Sequence, residues 1–271
     1  MKFSVVMSVY RNDKPEFVVR AVDSITTMQT LQPNEIVLVV DGPIPDSLDK
    51  LIKSYEQSIL FNVIRLSENK GLGTALRIGV KSAKHEIIAR MDSDDIAISN
   101  RFEKQVFFLR QNPNIDVIGG QIEEFIESVE NKVGKRLVPL EHHNLITYAR
   151  VRCPFNHMTV MFRKNAVINA GNYLPWHFNE DYYLWVRMIE SNATFANLSD
   201  ILVNVRVGKD MYTRRGGWRY FTSEKKLQDY MFCHNIISPP RYCYNVFGRF
   251  VMQVAIPNRL RGFIYQKFFR K

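Results

Sequence analysis

Through the first ninety positions, short runs of consecutive apolar residues alternate with longer stretches in which apolar residues return every third or fourth position. The first run, Phe3–Val9, predicts a strand. Asp13-Lys-Pro-Glu16 then has the composition of a helix start, with Asp13 as N-cap, Pro15 in the first turn and Glu16 closing a capping-box pattern. Phe17, Ala21, Ile25 and Met28 follow at helical spacing. Glu35–Val40 predicts a buried strand ending in the turn Asp41-Gly42-Pro43, and Leu48, Leu51, Ile52 and Tyr55 mark one face of a second helix. Asn62–Leu66 and Gly71–Lys84 repeat the pair, the helix carrying Leu72, Leu76, Val80 and Ala83, and Glu86–Met91 is a fourth strand. Near-continuous apolar strands separated by helices predict an α/β fold with a mostly parallel sheet covered on both faces. Ligands in such sheets gather at the carboxyl ends of the strands.

Polar groups collect at those ends. Ser8 and Tyr10 follow the first strand, Asp41 the second, Asn69-Lys70-Gly71 the third, and Asp92-Ser93-Asp94-Asp95 the fourth. In extended chain, alternate residues share a face, so Asp92 and Asp94 point the same way. Like charges this close are costly unless a cation or a ligand offsets them. Oxygen-only donors suit a hard divalent ion such as Mg²⁺ or Mn²⁺, which also holds phosphates. The triplet alone reads equally as a solvated acidic turn. Four converging polar ends favour a nucleoside diphosphate bridged through a metal. Lys70-Gly71-Leu72-Gly73 lacks the third glycine of a dinucleotide loop.

Farther on, Ser99 is placed to cap a helix bearing Phe102, Val106 and Leu109 that ends at Asn112-Pro113, and Asp116–Gly120 reads as a short strand. Gln121–Lys135 reads as strands and a turn. Cys153–Arg163 contains His157 and leads into a strand and a helix with Ala166 and Ile168. A lone histidine here is commonly a satisfied core side chain. Asn179-Glu180-Asp181 opens a helix continuing through Leu184, Trp185, Met188 and Ile189, and acids in a first turn are also what a helix dipole favours. Val203–Val207 reads as a strand and Lys209–Gly217 as a basic loop, and Arg206, Arg214 and Arg215 could clamp phosphate oxygens.

Charge divides the chain. Residues 206–271 hold fourteen of the 37 Lys and Arg but three of the 27 Asp and Glu, a net of +11, which leaves −1 for residues 1–205. Residues 241–271 hold seven bases, no acid, and Tyr242, Tyr244, Phe247, Phe250, Phe263, Tyr265, Phe268 and Phe269. Bases interleaved with large apolar residues suit an in-plane membrane segment. A nucleic-acid surface shares the composition, and a helix packed on the main body is the plain alternative. No run of apolar residues is long enough to span a bilayer, and the N-terminus has no cleavable leader, so the expected location is the cytosol. Cys153, Cys233 and Cys243 form no CxxC pair, which argues against zinc and a disulfide framework.

The order SVVMSVYRND, VLVVDG, ENKGLGTALRIGVKSAKHEIIARMDSDD, extending over about residues 3–210, resembles glycosyltransferase family 2, an inverting family with the GT-A fold. The resemblance implies a Rossmann-like nucleotide-binding half (1–98), an acceptor half (99–210) completing a mixed central sheet, and a helical, basic C-terminal extension (211–271). It places Ser8, Tyr10 and Asp41 at the uridine. Asn69, Lys70, Gly71 and Arg77 lie at the donor, with Ala75 and Gly79 packing the third helix beside it. Asp92 and Ser93 go to the ribose–diphosphate, Asp94 to the metal (Mn²⁺ or Mg²⁺), and His157 beside the phosphates as a possible further ligand. The Glu-Asp motif makes Asp181 the base that deprotonates the acceptor hydroxyl. Glu180, Trp185, Arg206, Arg214 and Arg215 then serve the acceptor or its phosphates.

The resulting expectation is transfer of one hexose, Gal or Glc, from a UDP-sugar in β-linkage to a sugar on a polyprenyl diphosphate. That reaction builds surface polysaccharide of the O-antigen or capsule kind at the cytoplasmic face of the inner membrane, with no nucleic acid involved. No QxxRW motif of the processive members occurs, which favours single addition. Alternatives are another sugar (GlcNAc, GalNAc or a GDP- or dTDP-sugar) transferred to a lipopolysaccharide-core or protein acceptor, and a non-catalytic module held on anionic lipid. A pyrophosphorylase would need a G-x-G-[ST]-R loop after the first strand and a haloacid-dehalogenase phosphatase a first-strand DxDx[TV], and the chain has neither.

Overall fold

The computed structural model describes residues 1–208 and 216–257. Its organising feature is the alternation of side chains along the strands. In β1 (Phe3–Val9), Phe3, Val5, Met7 and Val9 enter one hydrophobic layer, while Val6 enters the other. β2 (Glu35–Val40) divides likewise, Ile36, Leu38 and Val40 against Val37 and Val39. Both faces are buried, which is why these strands read as unbroken apolar runs. β3 (Phe61–Arg65) and β4 (Ile87–Arg90) pair in parallel with β2 and β1 respectively.

Helices α1 (Pro15–Ile25), α2 (Asp46–Glu56) and α3 (Leu72–Ser82) make the crossovers. α1 and α2 supply Val18, Ala21, Ile25, Leu48 and Ile52 to the first layer, and α3 supplies Ala75, Leu76 and Val80 to the second. Gly79 is where α3 meets the sheet: a Cβ there would stand 2.6 Å from Cγ1 of Val6.

The second half changes direction. β5 (Ile96–Ala97), α4 (Arg101–Gln111), β6 (Val117–Phe125), β7 (Lys132–Arg136), α5 (His142–Ala149), β8 (Met161–Arg163), α6 (Lys164–Asn169), α7 (Glu180–Glu190) and β9 (Phe195–Arg206) follow in order. Among the described residues nine strands make one sheet, ordered β3-β2-β1-β4-β8-β6-β9-β5, with β7 on β6. β8 runs antiparallel to β4 and β6, so the sheet is mixed, as the family resemblance implies, and the parallel arrangement read from the strand pattern holds for β1–β4 and returns in the pairing of β6 with β9. Gln121–Lys135 folds as the continuation of β6 and its hairpin to β7.

α8 (Trp218–Cys233) and α9 (Pro239–Phe250) form an antiparallel pair that packs on α7 through Tyr182, Val186, Leu227, Met231 and Ile237. No helix among the described residues is long and apolar enough to cross a membrane.

Two expected caps are absent. Lys14, not Asp13, stands at the N-cap of α1, and Asn100, not Ser99, at that of α4, neither with a side-chain capping bond. The Asp13 carboxylate instead accepts from the Tyr10 N–H and bonds Ser93, and the Ser99 carbonyl is engaged by the Thr30 N–H.

Candidate active site

The parity of β4 decides what faces the site. Ile87, Ala89 and Met91 enter the layer under α1 and α4, so Ile88, Arg90 and Asp92 fall on the α3 and α7 side. Arg90 is 3% exposed and ion-paired with Asp92 Oδ1. Burial works against its charge, and Asp92, with Tyr173 and Asp95, more than offsets that cost. Below it, buried Arg101 of α4 donates to the Arg90 carbonyl at 2.8 Å and to Met91 Sδ at 3.2 Å. Burial, with the neighbouring charge of Arg90, brings Arg101 down to about 9.

The rest of the acidic loop is buttressed from β9. Asp95 Oδ1 accepts from the Arg206 N–H at 2.8 Å, and Arg206 Nε donates to the Asp94 carbonyl at 3.2 Å. The Arg206 guanidinium lies 3.9 Å from the Phe17 ring centre and 4.7 Å from that of Phe125. Asp13 joins the cluster, accepting from the Tyr10 N–H at 2.9 Å and bonding Ser93. Burial raises Asp13 to about 6, with Asp92 adding to the rise. Asp94 is likewise raised to about 6 by burial and by the charges of Asp92 and Asp13, and Asp95 well above its ordinary value by burial and its acidic neighbours.

Across from this loop, α7 opens with Glu180 and Asp181. Burial raises both, Glu180 to about 7 with Asp181 contributing. Cys153 Sγ donates to Asp181 Oδ2 at 3.5 Å, and Arg136 Nη2 holds the Cys153 carbonyl at 2.7 Å. The charges of Arg90 and Arg136 reach Asp181, and those of Arg90 and Asp92 reach Glu180, so the two acidic groups share one neighbourhood. A Cβ on Gly73 would meet the Leu174 carbonyl at 2.7 Å and Glu180 Cβ at 3.2 Å, which brings the starts of α3 and α7 together. Two helix N-termini beside one acidic loop favour an anionic ligand bridged by a cation.

The remaining anticipated residues sort by what they touch. Asp41 is buried, accepting from the Lys70 and Gly71 N–H groups at 2.7 and 2.9 Å, while its carbonyl accepts from Asn69 at 3.1 Å. It therefore pins the loop that starts α3. Gly42 and Gly71 take the positive φ values of +85° and +81° that this approach requires. Ser8 is half-buried at the end of β1, Tyr10 is exposed, and Arg77 stands near Arg187 of α7. His157 Nε2 is engaged by the Tyr173 hydroxyl at 2.9 Å, and burial keeps the ring neutral by pulling its pKa well down. Trp185 is fully buried in contact with Phe155 and His157, a core side chain beneath the site and not one facing an acceptor. Arg214 and Arg215 lie outside the described residues. Asp13, Arg90, Arg136 and Cys153 are the additions that sequence reasoning missed.

The donor set fits a divalent ion. Among the described residues no three His, Cys, Asp or Glu side chains form a complete metal cage. Mg²⁺-like ions need none, since one or two carboxylates hold them and substrate phosphates and water complete the shell. Asp94, with Asp92 beside it, supplies hard oxygen donors whose crowding a cation would relieve. His157 is not brought into a three-ligand group with that loop.

Comparison with known proteins agrees with this arrangement. Residues 4–172 match glycosyl transferase family 2. The chain is similar to the amylovoran biosynthesis glycosyltransferase AmsE of Erwinia amylovora, at 41% identity over 83% of this chain and 84% of that one. It is similar to the Escherichia coli UDP-Gal:alpha-D-GlcNAc-diphosphoundecaprenol beta-1,3-galactosyltransferase, at 33% identity over 100% and 97%. Staphylococcus aureus TarS 1–349, solved in complex with UDP-GlcNAc, superimposes with a TM-score of 0.68 at 17% identity, over 93% of this chain and 73% of that one. The last likeness identifies the GT-A fold.

Proposed function

Because the chain belongs to glycosyl transferase family 2, we propose that it transfers a single hexose with inversion from a UDP-sugar to a sugar carried on a polyprenyl diphosphate, in bacterial surface polysaccharide synthesis. The supporting observation is the shared side of Arg90, at the end of β4, and Asp92 just past it, which turns the acidic loop toward Glu180 and Asp181. In this reading the loop Asp92–Asp95 holds the diphosphate end of the donor through Mn²⁺ or Mg²⁺, and Asp41 and Asn69–Gly71 border the nucleoside. A bound divalent ion would offset the charge of the departing diphosphate.

Asp181 takes the proton of the acceptor hydroxyl as that oxygen attacks the anomeric carbon and the bond to UDP breaks. One displacement turns an α-linked donor into a β-linked product. Burial raises the Asp181 pKa, which improves a carboxylate as a proton acceptor. Glu180 orients the acceptor.

The E. coli relative's name specifies UDP-Gal and a GlcNAc-diphosphoundecaprenol acceptor, and its identity over nearly the whole length supports galactose as the first donor to try. We assign residues 1–210 to the catalytic domain and 211–271 to the extension that places it on the cytoplasmic face of the inner membrane.

The test is UDP release from a panel of nucleotide sugars with Mn²⁺, with and without a synthetic GlcNAc-diphosphate lipid of short, water-soluble chain, beside Asp181→Asn. Acceptor-dependent release from one UDP-sugar, lost in the variant, is the expected result. No release from any donor together with no UDP binding overturns the transferase reading, and full activity in the variant overturns the choice of base.

A further inference from the structure

α9 has two unlike faces. One is tied to the catalytic body, where buried Asn245 donates to the Arg150 carbonyl at 2.8 Å and Arg249 to the Val151 carbonyl at 2.7 Å, and Arg249 also donates to Glu224 of α8 at 2.5 Å. The other is aromatic and open. Tyr244 and Phe247 are each 69% exposed and Phe250 is 37% exposed, at the spacing that shares one side of a helix. Trp218, 62% exposed at the start of α8, lies 6.0 Å from the Phe250 ring. Large apolar side chains grouped this way mark a contact surface more than a solvated one.

Charge identifies the partner. From Tyr230 to the C-terminus the sequence contains no Asp or Glu, and residues 241–271 hold seven Lys and Arg. Arg241 stands on α9 itself, and Arg259, Arg261, Lys267, Arg270 and Lys271 follow it in the sequence. Tyr and Trp have an apolar body and a polar tip, which suits the headgroup boundary, and bases beside them are drawn to anionic lipid.

We propose that the outer face of α9, with Trp218 beside it, docks on an anionic bilayer, Tyr244, Phe247 and Phe250 entering the headgroup boundary. This deepens, and in its purpose rests on, the reading of a lipid-linked acceptor, since it names the surface through which the catalytic body meets that lipid. The opposite face of the same helix holds the backbone of Arg150 and Val151, two residues from Cys153 and its bond to Asp181. Docking therefore fixes the height of the proposed base above the membrane, where a sugar on a lipid diphosphate would be presented.

The experiment compares the full chain with its Y244S/F247S variant in sedimentation with vesicles of phosphatidylethanolamine and phosphatidylglycerol, and with phosphatidylcholine vesicles as the neutral control. The wild type should partition to the anionic vesicles, and the variant about tenfold or more weakly, from the lost burial of two aromatic side chains. UDP release with the water-soluble acceptor should be equal in the two proteins, which shows that the variant folds. Equal vesicle binding by both proteins, or no preference for anionic lipid, overturns the proposal. A change of oligomeric state in the variant without lipid also overturns it, in favour of a second copy on this face. Failure of the transferase reading is seen separately, as absence of UDP release in both proteins whatever the vesicles do.

Discussion

The two acidic groups of the site are built on opposite plans. Asp92–Asp95 sit where a strand ends, and guanidinium groups are part of their frame: Arg90 pairs with Asp92, and Arg206 binds the Asp94 carbonyl and, through its backbone N–H, the Asp95 carboxylate. Glu180 and Asp181 sit where a helix begins, and their close donors are neutral, the Cys153 thiol and backbone N–H groups. The first plan tolerates concentrated negative charge and invites a further cation. Burial raises carboxylates in both groups, but among the described residues no guanidinium is paired to the second, which leaves its carboxylates ready to accept a proton. Similar residues are thus given different chemistry by whether arginine or a thiol stands next to them.

The largest expected effect separates the two plans directly. Asp181→Asn should lower kcat by roughly 10²–10⁴-fold while leaving Mn²⁺-dependent UDP binding intact. Asp94→Asn should instead weaken that binding, measured by calorimetry. If both variants lose UDP binding equally, the division of labour is wrong.

Next in size, Arg90→Ala should cost on the order of 3–5 kcal/mol by leaving Asp92 without its buried partner, lowering Tm by about 10 °C. A Tm within a degree or two of wild type would mean that water serves Asp92 as well as Arg90 does.

A smaller effect is expected with pH. Folded Glu180 holds its proton up to about 7, against an ordinary 4.5. Its contribution to stability is therefore complete below 4.5 and is lost as pH rises through 7. Glu180→Gln should flatten the fall in Tm of the metal-free protein between pH 5 and about 8. An unchanged slope would assign that fall to the acidic loop.

The smallest concerns the thiol. Cys153→Ala should move the acid limb of kcat/KM up by about half a pH unit, because the Asp181 carboxylate loses a donor, and Cys153→Ser should restore it. Identical limbs in all three proteins would remove the thiol from the second plan.

Much of the first ninety residues was legible because both faces of β1 and β2 are buried, so burial alone wrote the strands into the composition. Asp13 was misread because its local pattern is that of a cap, whereas its partners are Tyr10 and Ser93. Arg90 carried a signal that went unused: a charged residue inside a buried strand, two positions before an acid, is a pair on one face. Trp185 was placed by its neighbours in the motif, but the buried side of α7 runs through Leu184, Trp185 and Met188. The family resemblance implies a helical extension, but the bounds of α8 escaped because its buried positions include Ser223, Glu224 and Gln228, which dilute the apolar period. No pattern in sequence could bring Cys153 to Asp181, since that contact depends on where Arg136 of β7 holds the loop that follows α5.

The hold of α8 and α9 on the base has a consequence for truncation. Ser223 receives the Asn179 amide and donates to the His177 carbonyl just ahead of Glu180, and Asn245 and Arg249 grip residues 150 and 151 from the far end of the chain. In chain order β1–β4 and the acidic loop come well before α8 and α9. The setting of Asp181 waits for a helix that emerges some sixty residues after it. In the proposed reading, a chain cut before α9 would keep the acidic loop and lose the bonds that hold residues 150 and 151, so α9 is what arms the base.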